Sequence, residues 1–113
     1  MAGRMKRGDI YSISAPGEFG KPRPAVIVQT DALTQQPFSS VILCPFTGKI
    51  TDAPLFRILV EPAPENGLTK SSQIMVDKVM AVSVKRIGEH IGHINDEQIL
   101  QLNRTLAFVI GIG

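Results

Sequence analysis

The sequence contains few of the residues that mark disulfide-stabilised, membrane-bound or aromatic-rich proteins. Its 113 residues include one cysteine, no tryptophan and only 5% aromatic residues. A single cysteine excludes a disulfide within the chain, and Cys44, between Leu43 and Pro45 in an apolar run, is expected to be a core residue. No apolar stretch reaches the roughly 20 residues of a membrane-spanning helix, and none follows the basic N-terminal residues as in a secretory signal. We therefore expect a cytoplasmic protein without a membrane segment.

Familiar metal-binding and nucleophilic motifs are missing as well. The carboxylates are scattered, and no set of His, Cys, Asp and Glu has the spacing of metal ligands. His90 and His93 are three residues apart in a predicted strand, which places them on opposite faces. There is no Gly-x-Ser-x-Gly elbow and no glycine-rich nucleotide loop, although a catalytic triad assembled from distant residues stays open. We expect neither a metal nor another cofactor.

Size and composition indicate one small globular domain. Hydrophobic residues make up 43% and charged residues 19% of the chain, which is enough to form a core and argues against extended disorder. We therefore expect a single domain over residues 1–113. The net charge is +2 and the isoelectric point is about 8.9, a bias that permits binding to nucleic acid without requiring it.

Alternating apolar and polar residues, interrupted by glycine and proline, predict a chain rich in short strands. A helix is predicted after them, because Asn95 and Gln98 form a capping-box pattern and apolar residues then recur at helical spacing as far as Gly111. Strands followed by a single helix are typical of a small curled sheet or barrel, and not of alternating βαβ units. The predicted strands are residues 10–14, 25–29, 41–46, 55–60, 72–80 and 88–94, with helical turns near 30–31 and 84–87, and the predicted apolar helix face is Ile99, Leu102, Leu106, Val109 and Ile110.

One arginine, Arg23, stands between two prolines immediately before a β-branched run. Pro22 and Pro24 fix their own φ angles and push the preceding residues, Lys21 and Arg23, toward extended conformations. The following segment, 25–28, has the β-branching of a buried strand, so Arg23 is expected at the end of a stiff loop, just before the strand begins. A planar guanidinium held in this way suits phosphate binding, although a structural salt bridge explains the arginine about equally well.

Three further polar residues, Glu18, Thr47 and Asp77, stand in loops or at predicted strand ends. Together with Arg23 they offer a complete set of groups for phosphodiester chemistry. The arginine stabilises charge on a phosphate, the threonine hydroxyl orients it, and a carboxylate accepts a proton from an attacking hydroxyl. Such a set would cleave RNA without a metal. Taken singly, Glu18 also fits a solvated loop acid, Thr47 a turn residue, and Asp77 an ion-pair partner of a neighbour.

Two blocks near the N-terminus resemble the opening of the MazF/PemK (Kid) toxin family. They are Lys6-Arg7-Gly8-Asp9-Ile10-Tyr11 and residues 17–28, in which Glu18 and Arg23 have the spacing found in the family. Pro45-Phe46-Thr47 is similar to the family's strand-three threonine segment. The resemblance extends over nearly the whole chain through two further segments, Asp77-Lys78-Val79, similar to an acidic-Gln-Val segment, and Lys85-Arg86-Ile87-Gly88, similar to Lys-Arg-Leu-Gly.

Two positions depart from the family pattern. Kid-like members carry an arginine two residues before the aspartate, where this chain has Met75. The loop glutamate is usually followed by glutamine in the family, whereas Glu18 is followed by Phe19 in this chain. Both departures concern the residues expected to transfer protons.

The resemblance implies a mainly β fold with a C-terminal helix, an SH3-like barrel of the CcdB/MazF/PemK-like kind, and a homodimer. It also implies a sequence-specific endoribonuclease, an mRNA interferase that cuts single-stranded RNA and is neutralised by a cognate antitoxin. The substrate's own 2′-hydroxyl would attack the adjacent phosphate without a metal, leaving a 2′,3′-cyclic phosphate and a 5′-hydroxyl. Catalytic roles are expected at Arg23, Thr47, Glu18 and Asp77, and RNA contacts at Gly20, Lys21, Lys49, Lys70 and Gln73.

A second interpretation belongs to a different class of protein. CcdB toxins resemble the same family in fold but bind DNA gyrase and catalyse nothing. The spacing of Glu18 and Arg23, together with Thr47, favours RNA cleavage.

Overall fold

Most of the predicted strand segments form one antiparallel sheet, and a helix follows the last strand. The computed structural model describes residues 5–14, 21–34 and 39–112. No helix in these ranges is long and apolar enough to cross a membrane. The elements are β1 (Asp9–Ile13), β2 (Arg23–Ile27), α1 (Asp31–Thr34), β3 (Ser40–Thr47), β4 (Arg57–Val60), β5 (Ser72–Met75), β6 (Met80–Ser83), β7 (Ile87–His93) and α2 (Asp96–Val109), with 3₁₀ turns at Val76–Lys78 and Val84–Arg86.

Strand β3 is the centre of the sheet, whose order is β4-β5-β3-β2-β1-β7, with β6 also paired to β3. Along one edge of β3, residues 40–43 pair with β6, and Phe46 and Thr47 pair with β5. Pro45 lies between these two pairings, at a point where the ladder is already interrupted and a missing N–H costs little. The sheet therefore divides around β3 and curls into a barrel-like shape.

Apolar side chains are buried on both faces of strands β1 to β3. Ile10, Val26 and Cys44 join one cluster, which Leu102 of α2 covers. Their strand neighbours, such as Ile27, join the second cluster. Burial on both faces explains why segments 25–28 and 41–46 are almost continuously apolar instead of alternating.

The connection between β4 and β5, residues 61–71, packs against β7 and closes the barrel on that side. The backbone N–H of His93 donates to the carbonyl of Glu65 at 2.9 Å. Gly92 allows this approach, because a Cβ at that position would lie 2.4 Å from the Glu65 carbonyl oxygen. This connection also forms one wall of the cleft described below.

The predicted fold class, a small curled sheet with one C-terminal helix, is confirmed. The capping box is present, since Asn95 Oδ1 accepts from the backbone of Gln98 and the Gln98 side chain accepts from the backbone of Asn95. The predicted apolar helix face packs against the core, except that Ile110 follows the helix and is exposed. Cys44 is fully buried as expected, and burial raises the pKa of its thiol to about 12, so the group stays protonated.

The prediction of one strand over residues 72–80 is wrong. The chain forms β5, turns through a 3₁₀ segment at Val76–Lys78, and continues as β6. The break arises because β5 pairs with the C-terminal end of β3, whereas β6 pairs with its N-terminal half. Two smaller differences are that β2 begins at Arg23 and not at residue 25, and that β4 begins at Arg57 and not at residue 55.

Candidate functional site

An open cleft of about 740 Å³ lies where the first residues of β2, the last residues of β3 and the 61–71 connection meet. Its walls combine proline and aliphatic surface with basic side chains. The lining residues are Lys21, Pro22, Arg23, Pro24, Phe46, Thr47, Gly48, Lys49, Gly67, Leu68, Thr69, Lys70, Ser72 and Ile91.

Arg23 is the first residue of β2 and is exposed at the mouth of the cleft. Its backbone pairs with Ile13 of β1, which fixes the position of the strand end. On the other side, Ala25 pairs with Pro45 of β3, and continuing this register by two residues places Arg23 opposite Thr47. Residues opposite each other on neighbouring strands project to the same face of a sheet, so the register directs both side chains toward the cleft.

Thr47 is the last residue of β3, at a turn. Its Oγ1 accepts a hydrogen bond from the backbone N–H of Lys49 at 3.1 Å. A hydroxyl carries one proton and two lone pairs, so this contact uses a lone pair and leaves the proton available for donation. The turn thus presents an oriented hydroxyl donor beside Arg23.

The cleft has a strongly positive lining. Lys21, Arg23, Lys49 and Lys70 contribute four cationic groups, and among residues 5–14, 21–34 and 39–112 no carboxylate or imidazole lines the cleft. Lys70 reaches across the cleft floor, because its Cε and Nζ lie 2.6 Å from the point where a Cβ on Gly48 would be. Such a lining attracts a polyanion and is unfavourable for a cationic ligand.

Gln73 lies outside this lining, although it was predicted to contact RNA. Its side chain is buried in β5, where Oε1 accepts from the backbone N–H of Thr51 at 3.0 Å and Nε2 donates to the carbonyl of Thr51 at 2.7 Å. Both ends of the amide are therefore used to hold the β3–β4 connection.

Asp77, one of the two carboxylates predicted to take part in proton transfer, also lies outside the cleft lining. It sits in the 3₁₀ turn after β5, where Oδ1 and Oδ2 receive Arg57 Nε and Nη2 at 2.8 and 3.3 Å. The hydrogen bond and positive charge of Arg57 lower the pKa of the Asp77 carboxyl despite the opposing effect of burial. Arg57 is the cross-strand partner of Met75, so a guanidinium lies beside Asp77 even though residue 75 is a methionine.

Glu18 and Gly20 lie outside the described residues. The described ranges contain no cluster of three or more His, Cys, Asp or Glu side chains that could hold a metal ion. The structure therefore brings together five of the nine predicted site residues in one cleft: Arg23, Thr47, Lys21, Lys49 and Lys70.

The sequence did not point to Asn66 and Arg57, two residues whose side chains make structural hydrogen bonds near the predicted site residues. Asn66 is buried beneath the cleft wall, and the Asn-Gly dipeptide it forms with Gly67 is a turn signal that marks such a position. Arg57 carried no such signal, because its partner Asp77 is 20 residues away and meets it only through strand pairing.

The chain is similar throughout its length to toxins of toxin–antitoxin systems. Residues 6–110 match the family model described as PemK-like, MazF-like toxin of type II toxin-antitoxin system. A probable endoribonuclease MazF from Mycolicibacterium smegmatis is 40% identical over 110 residues, which cover 96% of this chain and 99% of that protein.

Solved structures show the same fold at lower sequence identity. The Mycobacterium tuberculosis toxin MazF-mt6 superposes with a TM-score of 0.79 and 19% identity over 93% of this chain and 98% of its own. An endoribonuclease in complex with its cognate antitoxin, from a mycobacterial species, gives a TM-score of 0.78 with 20% identity over 96% and 97% of the two chains. These likenesses confirm the predicted barrel class.

Proposed function

Because this chain belongs to the PemK-like, MazF-like toxin family of type II toxin–antitoxin systems, we propose that it is a sequence-specific endoribonuclease. Its substrate is single-stranded RNA in the cytoplasm, and a cognate antitoxin inhibits it. The name of the Mycolicibacterium smegmatis relative supports the activity, and the solved complex of an endoribonuclease with its antitoxin supports the partner.

The observation that carries the proposal is the cationic cleft around the Thr47 hydroxyl. A phosphodiester entering it would be surrounded by the charges of Lys21, Arg23, Lys49 and Lys70. Phosphate contacts of this kind supply most of the sequence-independent affinity of nucleic-acid-binding proteins. We propose that the three lysines bind the RNA backbone.

The reaction we propose uses the nucleophile of the substrate itself. The 2′-oxygen loses its proton and forms a bond to the adjacent phosphorus, and the bond from phosphorus to the 5′-oxygen breaks. The leaving 5′-oxygen takes up a proton, so the products are a 2′,3′-cyclic phosphate and a 5′-hydroxyl. Arg23 stabilises the negative charge that develops on the phosphorane, because its planar fork donates two hydrogen bonds to two oxygens. Thr47 orients the same phosphate through its hydroxyl proton.

The proton leaving the 2′-hydroxyl needs an acceptor, and the candidates are Glu18 and Asp77. Asp77 stays ionised because its pKa is lowered by Arg57, but a carboxylate of lowered pKa is a weaker base and this one is held away from the cleft lining. Its position therefore supports a structural contribution more than proton transfer. Gly20 and Gln73 remain proposed RNA contacts, Gln73 only if its amide leaves Thr51.

The alternative of a non-catalytic gyrase poison gains no support from these observations. A surface that only binds a protein does not need an oriented hydroxyl donor beside an arginine within a cationic cleft. The 40% identical relative is named as an endoribonuclease.

Incubation of the purified chain with a long RNA of mixed sequence in EDTA tests the proposal. We expect cuts at a small number of sequences, with 2′,3′-cyclic phosphate and 5′-hydroxyl ends. A single 2′-deoxy substitution at the cleaved nucleotide should leave that oligonucleotide intact, because the nucleophile is missing. An Arg23→Ala/Thr47→Ala variant purified in parallel controls for contaminating nuclease, and RNA that stays intact across many sequences would refute the assignment.

A further inference from the structure

We propose that Asn66 is a positioning residue for RNA binding, since it shapes the cleft wall so that Lys70 reaches the Thr47–Gly48 turn. This inference rests on the function proposed above, and it assigns to a buried amide a part that the cleft lining alone does not reveal. The chain of contacts runs from Asn66 through the 61–71 connection to Lys70.

Asn66 uses both ends of its amide to shape that connection. The residue is 2% exposed. Its Oδ1 accepts from the backbone N–H groups of Ala63 and Leu68, each at 3.0 Å, and its Nδ2 donates to the carbonyl of Glu61 at 2.9 Å. All three partners lie within five residues of Asn66, so these bonds fold the connection on itself. Removing the Asn66 side chain would leave two part-buried backbone donors without their acceptor, which disfavours the present shape of the connection.

The shaped connection is also fixed against β7. Gly67 has a φ of +67°, a left-handed conformation, and a Cβ there would lie 2.4 Å from the carbonyl oxygen of Ile91. On β7, Gly92 meets the backbone of Asn66 almost as closely. The Asn66 side chain and these two glycines together determine the geometry of the turn. Residues 67–70, which line the cleft, come immediately after Asn66 in the chain, so the turn sets their path.

Lys70 ends this wall and extends to the Thr47–Gly48 turn. The Lys70 carbonyl accepts from the hydroxyl of Ser72 at 3.0 Å, and Gln73 pairs with Thr47, so the backbone beside Lys70 is anchored. Its ammonium then lies over Gly48, next to Thr47. A phosphate bound between Arg23 and Thr47 would meet this second cation. A shift of the wall would remove it without changing any lining side chain.

The test measures the binding of a 2′-deoxy analogue of the cleaved oligonucleotide at several salt concentrations, so that cleavage does not interfere. Lys70→Met should weaken binding several-fold and reduce the slope of log K against log salt by about 0.7, the value for one phosphate contact on a single strand. Asn66→Ala should reduce the slope equally, and the double variant should show no further reduction. That non-additivity is what a merely structural role would not produce.

Asn95→Ala is the matched control, since it removes another asparagine with local hydrogen bonds, at the N-terminus of α2 and away from the cleft. It should leave the salt slope unchanged while shifting the denaturation midpoint to lower denaturant concentration, as expected for the loss of a helix cap. Binding is measured on protein shown to be folded by circular dichroism at the assay temperature.

If Asn66→Ala does not fold, Asn66→Asp keeps both accepted bonds and loses only the donated one. The change in salt slope caused by Lys70→Met is then measured in the Asn66→Asp protein. Both proteins in that comparison carry the added negative charge, so its contribution drops out. If Asn66 positions Lys70, the change should be smaller there than in the parent. An equal effect, or additive slopes in the Ala series, would overturn the inference while the parent still cleaves RNA. A parent that neither binds nor cleaves RNA would instead refute the proposed function.

Discussion

At the scale of single residues, Arg23 shows how a local sequence restricts the backbone of a residue to which we assign a phosphate-binding role. Proline on each side limits the backbone, and pairing of Arg23 with Ile13 fixes the end of β2. The backbone of Arg23 is thereby fixed at the cleft before a ligand arrives, so binding has little backbone entropy left to remove at this residue.

Arg23→Lys separates the phosphate clamp from a simple charge effect. Lysine keeps the charge but has a single ammonium, so it cannot donate two parallel hydrogen bonds to two phosphate oxygens. We expect kcat for RNA cleavage to fall on the order of 10²-fold, with a smaller change in KM and an unchanged fold. If the arginine contributed only a surface ion pair, the substitution would matter by about 0–1 kcal/mol.

The matched control for this substitution is Arg104→Lys, an exposed arginine on α2. It should cleave at the parent rate in the same single-turnover assay. A folded Arg23→Lys protein that also cleaves at the parent rate would remove the clamp from the mechanism.

How far the sequence predicted these residues depends on the distance to their partners. Arg23 and Thr47 were recognisable because prolines, a β-branched run and a strand end lie beside them in the chain. The hydrogen bonds of Gln73 were not foreseen, because its partner, Thr51, is 22 residues away and the pairing of β3 with β5 brings them together. Contacts set by strand register leave no local pattern, so the sequence alone did not reveal that this amide is already bonded.

At the scale of elements, the division of residues 72–83 into β5 and β6 was not predictable from alternation. Alternation reports which side chains are buried, but the apolar residues Ile74, Val76 and Val82 are buried whether or not the chain turns between them. The turn follows from the identity of the neighbouring strand, because the two ends of β3 pair with different partners on one edge. Asp77 consequently lies in a turn and faces Arg57 of β4.

The ion pair between Arg57 and Asp77 should stabilise this junction of elements. Two N–H donors meet two carboxylate oxygens, and the Arg57 side chain is only 14% exposed. We expect Asp77→Asn to lower the free energy of unfolding by about 1 kcal/mol at pH 7, at the upper end of the range for exposed pairs because two donors of Arg57 lose their charged acceptor. Denaturant unfolding measures this difference.

The stability difference between the parent and Asp77→Asn should depend on pH, because the ion pair with Arg57 requires an ionised Asp77. The pKa of Asp77 is lowered in the folded protein, so its stabilisation is fully present above the unfolded-state pKa of about 3.9. It is lost as the pH falls through the folded-state pKa, and the gap between parent and Asp77→Asn should shrink below about pH 4. Asp52→Asn, at an exposed carboxylate, should stay within about 0.5 kcal/mol of the parent at pH 7. A gap that stays constant down to the acid transition would contradict the assignment.

At the scale of the whole molecule, the barrel is completed by a connection instead of by a strand. Residues 61–71 are interrupted by Pro62, Pro64 and Gly67 and were predicted only as a loop, yet they close the barrel against β7 and form a wall of the cleft. The fold class could be predicted from the number of strands and the final helix. The position of the cleft could not be predicted, because it depends on how this connection packs.

The C-terminal end of α2 carries apolar surface that the described residues leave uncovered. Phe108 is 57% exposed, and Ile110 and Ile112 are 56% and 65% exposed. Neighbouring residues of the same helix, Leu106 and Val109, pack against the core, so the exposed side chains are not needed for the fold of one chain. Exposed apolar groups clustered in this way are typical of surfaces that other proteins cover.

We predict that this surface contributes to a homodimer. Light scattering at micromolar concentration should give twice the 12.3 kDa mass of one chain. Phe108→Asp/Ile112→Asp should shift the equilibrium toward monomer, because two charges would have to be desolvated in the interface, whereas Gln101→Asp, at an exposed polar position of the same helix, should leave the mass unchanged. The denaturation midpoint of the parent should rise with protein concentration, and that of the double variant should not, because only an associating chain is stabilised by mass action. A parent protein that scatters as a monomer, or a double variant that remains a full dimer, would show that these apolar residues have another role.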